Sequence, residues 1–96
     1  EQGQHGAAVR RYERAAALAP GSVAPLVSLG RARLESGDPA GAVRDYDRAL
    51  ALAPDRAELY LLRGSAHLRA GSPEAAVADT LGFMQPTRAA ALLQHC

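Results

Sequence analysis

Isoleucine and lysine are absent from the 96 residues, and valine (5) and threonine (2) are scarce. With so few β-branched side chains to pack a pleated surface, an all-β domain is excluded. The single cysteine, Cys96, has no second thiol to bridge to, so an intramolecular disulfide is impossible. Nothing then points to an oxidising compartment, and a cytoplasmic location is the default expectation. Long apolar runs are missing too: charges, prolines, glycines and serines break up the apolar stretches, and none nears the roughly 18 apolar residues of a membrane span. No secretory leader is evident, and no membrane partner is expected. A charge excess is also lacking, since eleven basic residues, all Arg, face ten acids for a net charge of +1. So small a surplus does not supply the long-range attraction of a nucleic-acid binder.

What is present is alanine (22) and leucine (13), together 35 of the 96 positions, which favours helix. The length is that of one small domain. Shifting the chain by 34 residues superposes Gly3, Gly37 and Gly71, then Ala8, Ala42 and Ala76, then Val9, Val43 and Val77. Residues 1–20 match 35–54 at twelve positions, including Tyr12/Tyr46 and Pro20/Pro54, whereas 21–54 match 55–88 at eight, including Gly30/Gly64 and Asp45/Asp79. The single domain therefore divides into the second half of a repeat (1–20), a full repeat (21–54), a divergent repeat (55–86) and a terminal segment (87–96).

Apolar spacing within a unit is helical, and its punctuation splits it into two helices, A and B. Ser22 is placed to cap helix A of the middle unit, with Pro25 in the opening turn, where a missing N–H costs little. Gly37 suits the left-handed residue that ends that helix, Asp38 can cap the next, and Pro39 presets its first φ. In the following unit Asp55 and Glu58 are spaced as a capping box, and Gly71, Ser72 and Pro73 repeat the stop and restart. Helices are expected near 5–19, 23–36, 39–53, 57–70 and 73–84, with a short sixth near 87–95.

These residues resemble the tetratricopeptide repeat, whose pattern is W-x2-L-G-x2-Y, then A-x3-F, then P in 34 residues. Leu26, Leu29 and Gly30 match the first part with Leu for Trp, and Ala42, Tyr46 and Pro54 match the rest with Tyr for Phe. Arg33 replaces the usual Tyr. The divergent unit keeps Tyr60, Gly64 and Ala76 but has Arg63 for Leu, His67 for Tyr and Thr80 for the aromatic. The resemblance implies an all-α, right-handed α-solenoid of antiparallel helix pairs, about two and a half repeats plus a capping helix. Gly30 and Gly64 should let paired helices approach closely, near Ala42 or Ala49 for Gly30, while Ala42, Ala49 and Ala76 do the same from helix B. Tyr12, Tyr46, Leu18 and Leu52 are expected to fill the space between hairpins. Glu1 to Gln4 align with the end of a helix A, so residues 5–19 should carry an uncovered face, and association with a second copy through it is expected.

Catalytic chemistry is sparse. His5, His67 and His95 are far apart, and His95 beside Cys96 points elsewhere on a helix, so no metal or cofactor site is expected. Asp45 and Asp47 do not share a helix face and read as solvated surface rather than an acid/base pair. Each glycine stands singly, without phosphate-loop spacing. Arg10, Arg11 and Arg14 form the densest positive cluster, but Glu13 interrupts it and no aromatics are interleaved for stacking on bases. The chain is read as no enzyme and no nucleic-acid binder.

In the family, the second stripe of helix A lines the groove. Here that stripe is Ala24, Val27, Arg31, Leu34 and Glu35, with Glu58, Leu61, Ser65, Leu68 and Arg69 as its counterparts. An apolar ribbon edged by mixed charge suits an extended or helical peptide, and Leu34 and Leu68 can also serve to pack neighbouring helices. The Lys and Asn that clamp chaperone-tail carboxylates in some members are replaced by Val27, Ser28, Arg31, Glu58, Leu61 and Leu62. A protein-interaction module or scaffold is the leading function. The alternatives are a regulatory or substrate-docking segment of a larger enzyme and, less favoured, a self-assembly module.

Overall fold

The computed structural model describes residues 2–84, with side chains described for 6–82. Five helices follow one another: α1 (Gln2–Leu18), α2 (Val23–Glu35), α3 (Pro39–Leu52), α4 (Ala57–Arg69) and α5 (Pro73–Met84). No strand occurs among the described residues. The sixth helix expected near 87–95 lies outside them.

Local chemistry explains most of the helix ends. Gly37 and Gly71 adopt φ of 89° and 85°, the left-handed conformation that a side chain would strain, and α2 and α4 stop just before them. The Asp38 carboxylate accepts the Gly41 N–H at 3.0 Å, with Pro39 in the first turn of α3. Two expected caps are not made. Ser22 stands at the start of α2 without a side-chain capping bond, and α4 opens after Arg56, so the Asp55–Glu58 box does not form. The first-turn N–H groups of these two helices draw nothing from those side chains.

Each helix packs on its neighbour in sequence. Arg33 meets Asp45, Gly30 lies under Tyr46, and Leu26 clusters with Ala49 and Leu50, so α2 and α3 run antiparallel. The same logic holds for α4 and α5, where Tyr60 covers Gly82 while Gly64 abuts Ala76 and Asp79. One apolar cluster crosses four helices through Ala16, Leu26, Ala49, Leu50, Leu59 and Tyr60. A second joins Ala42, Tyr46 and Ala66, with Leu34, Val43 and Leu62 against it.

Small residues at the crossings let large ones seat fully, and Ala42, Ala49 and Ala76 are all buried as expected. Gly30 touches helix B at Tyr46, between the expected Ala42 and Ala49, and a Cβ there would stand 2.7 Å from the ring Cζ. Leu18 and Leu52 depart from expectation, being 79% and 43% exposed. Each lies two residues beyond a buried position, Ala16 or Leu50, a rotation of about 200° that turns it from the core to solvent.

Candidate interaction surface

Of the two acids expected at the surface, Asp47 is exposed but Asp45 is buried, as is its counterpart Asp79. Asp45 and Asp79, one repeat apart, are both 3% exposed and each is held by an arginine. Arg33 Nε donates to Asp45 at 2.7 Å and its Nη2 to Glu13 at 2.6 Å, while Nη1 lies 3.6 Å from Asp38. Arg63 donates through Nε and Nη2 to Asp79, at 2.7 Å for the shorter contact, and through Nη1 to Asp47 at 2.8 Å. The acceptors correspond under the 34-residue shift, Asp45 with Asp79 and Glu13 with Asp47, yet the donors do not. Arg33 aligns with His67, whose Nε2 is 3.5 Å from Asp79, so in the later repeat the guanidinium comes from one helical turn earlier. Both arginines thereby tie two successive B helices to the A helix between them.

The electrostatics follow from this burial. Desolvation raises the Asp45 carboxyl above its ordinary 3.8, with Arg33 and Arg48 only partly offsetting it. Desolvation acts to lower Arg33 and Arg63, but their carboxylate partners outweigh it and hold both above the ordinary guanidinium value. These acids are structural, and the identity of Asp45 and Asp79 across the shift was the signal that could have marked them as such. Among the described residues no group of three or more His, Cys, Asp or Glu is arranged to hold a metal ion. No described helix is long and apolar enough to cross a membrane.

The helix-A stripe separates into two kinds of residue. Ala24, Arg31, Glu35, Glu58, Leu61, Ser65, Leu68 and Arg69 are exposed, with Leu61 at 47% and Leu68 at 62%. Val27 and Leu34 are half-buried, Val27 against the four-helix cluster and Leu34 against Ala42, Tyr46 and Ala66. Leu34 therefore has the packing role foreseen as an alternative, whereas Leu68 joins neither cluster among the described residues. Among the described residues, none of Arg31, Glu35, Glu58 and Arg69 is drawn into an ion pair with another, so their charges face solvent.

Tyr12 and Tyr46 occupy corresponding places but different environments. Tyr46 is fully buried, whereas Tyr12 is half-buried beside an open cleft of about 290 Å³ between α1 and α2, lined by Ala8, Tyr12, Ser28, Arg31, Ala32 and Glu35. A second open cleft, of about 450 Å³, is lined by Ala7, Arg10, Arg11 and Arg14 of α1.

A search of the curated proteins finds no match. The family model for the tetratricopeptide repeat matches residues 27–81, more than half of the chain, and spans the two antiparallel hairpins just described. Helix pairs at the family's period, glycine at the helix crossing and the sequence match agree: the chain belongs to the tetratricopeptide repeat family, whose repeats mediate protein–protein interaction.

Proposed function

We propose that this chain is a peptide- or helix-binding module whose recognition surface is the exposed part of the helix-A stripe, centred on Leu61 and Leu68 with Arg31, Glu35, Glu58 and Arg69 around them. The observation that carries the reading is the exposure of two leucines about two helical turns apart on one face of a helix whose opposite face is buried. Isolated apolar residues are ordinary on a surface, but a stripe rimmed by unpaired charges of both signs is the pattern of an interaction site. Val27 and Leu34 support the stripe from beneath and make part of its floor. With both signs of charge at the rim, apolar anchors carry most of the affinity, and the arginines tune specificity and salt dependence.

The test is selection of helical peptides on the folded chain from a displayed library, followed by affinity measurements with variants. Leu61→Asp with Leu68→Asp should weaken a selected peptide by at least about tenfold with the helical circular dichroism unchanged. The control Arg44→Ala, at an exposed position on α3, should leave binding near normal. Loss with Arg44→Ala but not with the leucine pair would move the site to the B helices and defeat the proposal.

A further inference from the structure

One polar atom in the middle of the fold adds nothing to its stability. The Tyr46 hydroxyl is enclosed with no hydrogen-bond partner among the described residues, a cost that a phenylalanine there would avoid. Cζ, the ring carbon that bears it, lies 2.7 Å from where a Cβ on Gly30 of α2 would stand, and the ring packs with Ala66 of α4. The hydroxyl end of the side chain is thus brought from α3 to the two A helices of the stripe.

Two cations surround that end. Arg31 follows Gly30 directly, and Arg69 stands three residues past Ala66, nearly one turn along α4. Both act on the hydroxyl: burial pushes its pKa above the ordinary value, and the guanidinium groups of Arg31 and Arg69 pull the other way. Asp45 is the acid whose charge reaches it, and that carboxylate is held by Arg33, with Arg48 3.5 Å away. Arg31 and Arg69 are exposed, and among the described residues neither takes part in an ion pair, although Glu35 lies only four positions beyond Arg31. The helices that carry them have described neighbours on both sides, α1 and α3 about α2, and α3 and α5 about α4. A positive spot with a spare hydrogen-bond donor at its base therefore sits inside the stripe, beside Leu68.

We infer, resting on the peptide-binding reading of the stripe, that an Asp or Glu side chain of the bound peptide docks across Arg31 and Arg69 over Tyr46, while Leu61 and Leu68 take the apolar side chains of the same peptide. A carboxylate suits this spot because guanidinium groups form short, charge-assisted and often bidentate bonds with it, and the hydroxyl has a proton to donate. A cation there would be repelled, and an amide would forgo the charge. Since the hydroxyl is enclosed in the free chain, its bond forms only as the side chains around it shift on binding, and its share is smaller than that of the arginines.

The test takes helical peptides selected on the full chain from a displayed library and remade with amidated C-termini, so that side chains are their only acids. One position should be fixed as Asp or Glu. Changing that acid to its amide should weaken binding to the natural chain at least about tenfold, but no more than about twofold to Arg31→Gln or Arg69→Gln. Tyr46→Phe should weaken the acidic peptide by about threefold and leave its amide form unaffected, with stability unchanged or raised, a combination that a purely structural tyrosine does not give. Peptides that need Leu61 and Leu68 but show no acid preference, or keep it in full on the arginine variants or on Tyr46→Phe, overturn the acid site and leave the stripe standing. Binding lost on amidation of the C-terminus also overturns it, since the arginines would then hold a terminal carboxylate. Selection of no peptide, or of peptides indifferent to Leu61→Asp with Leu68→Asp, overturns stripe and acid site together. Both arginines are exposed, so neither variant threatens the fold.

Discussion

The hairpin α2–α3 and the hairpin α4–α5 reach the same close approach with their parts exchanged. In the first, the glycine is on helix A and the aromatic on helix B, Gly30 beneath Tyr46. In the second, the aromatic is on helix A and the glycine on helix B, Tyr60 over Gly82, while the position of Tyr46 holds an exposed Thr80. The ion pairs are exchanged in the same spirit, with the arginine moved by one turn onto a corresponding acid. Divergence from the family pattern in the later repeat is therefore compensated, because a knob needs a hole but either helix can supply it. Tyr60 gains a further hold: its hydroxyl donates to the Pro54 carbonyl at 3.1 Å, and the Arg63 guanidinium lies 5.7 Å from its ring centre.

The largest effects should come from filling the holes. Gly30→Leu and Gly82→Leu both drive a side chain into a tyrosine ring and should each lower stability by about 1–3 kcal/mol, read by urea denaturation. Comparable losses support the exchange; a harmless Gly82→Leu would break it, leaving the second hairpin without a seated knob. Gly64, whose added Cβ would meet Asp79 Cβ at 3.2 Å, should tolerate alanine far better than Gly30 does.

Next come the acids. Asp79→Ala should cost about 1–3 kcal/mol by stranding a largely buried guanidinium, and Asp45→Ala somewhat less. Arg33 keeps both Glu13 and Asp38, whereas Arg63 keeps Asp47 alone. Equal losses would show that the outer acids contribute nothing. The Asp45 effect also has a pH signature. A carboxyl raised above 3.8 binds its proton more tightly in the folded chain, so its contribution is fully present below 3.8 and is lost as pH rises through the raised value. The stability gap between the natural chain and Asp45→Asn should accordingly widen as pH falls through the carboxylate range.

The smallest effect concerns a polar atom that only the first hairpin buries. The Tyr46 hydroxyl is enclosed with no hydrogen-bond partner among the described residues, whereas that of Tyr60 is satisfied. Tyr46→Phe should be neutral or stabilising by up to about 1 kcal/mol, and Tyr60→Phe neutral or mildly destabilising. A clear loss on Tyr46→Phe would mean that the hydroxyl is paired after all.

The helices, their order and their turns were legible because they rest on near-neighbour chemistry: apolar spacing, glycine at a left-handed stop, Asp38 and Pro39 at a start. Repetition made the family legible as well, since Gly30, Ala42 and Tyr46 recur at its spacing. The stripe from Ala24 to Arg69 could be chosen from helical phase; within it Val27 and Leu34 are half-buried and the other residues exposed. What spacing could not yield was partnership across the repeats. Asp45 looked like surface because its guanidinium lies twelve positions away on another helix, and Leu18 looked like core because its repeat partner shares the residue type. A one-dimensional period records which residues recur, not which ring falls on which glycine or which arginine reaches which acid. Those pairings depend on helices separated along the chain being brought within a few ångströms, and only the packed tertiary structure does that.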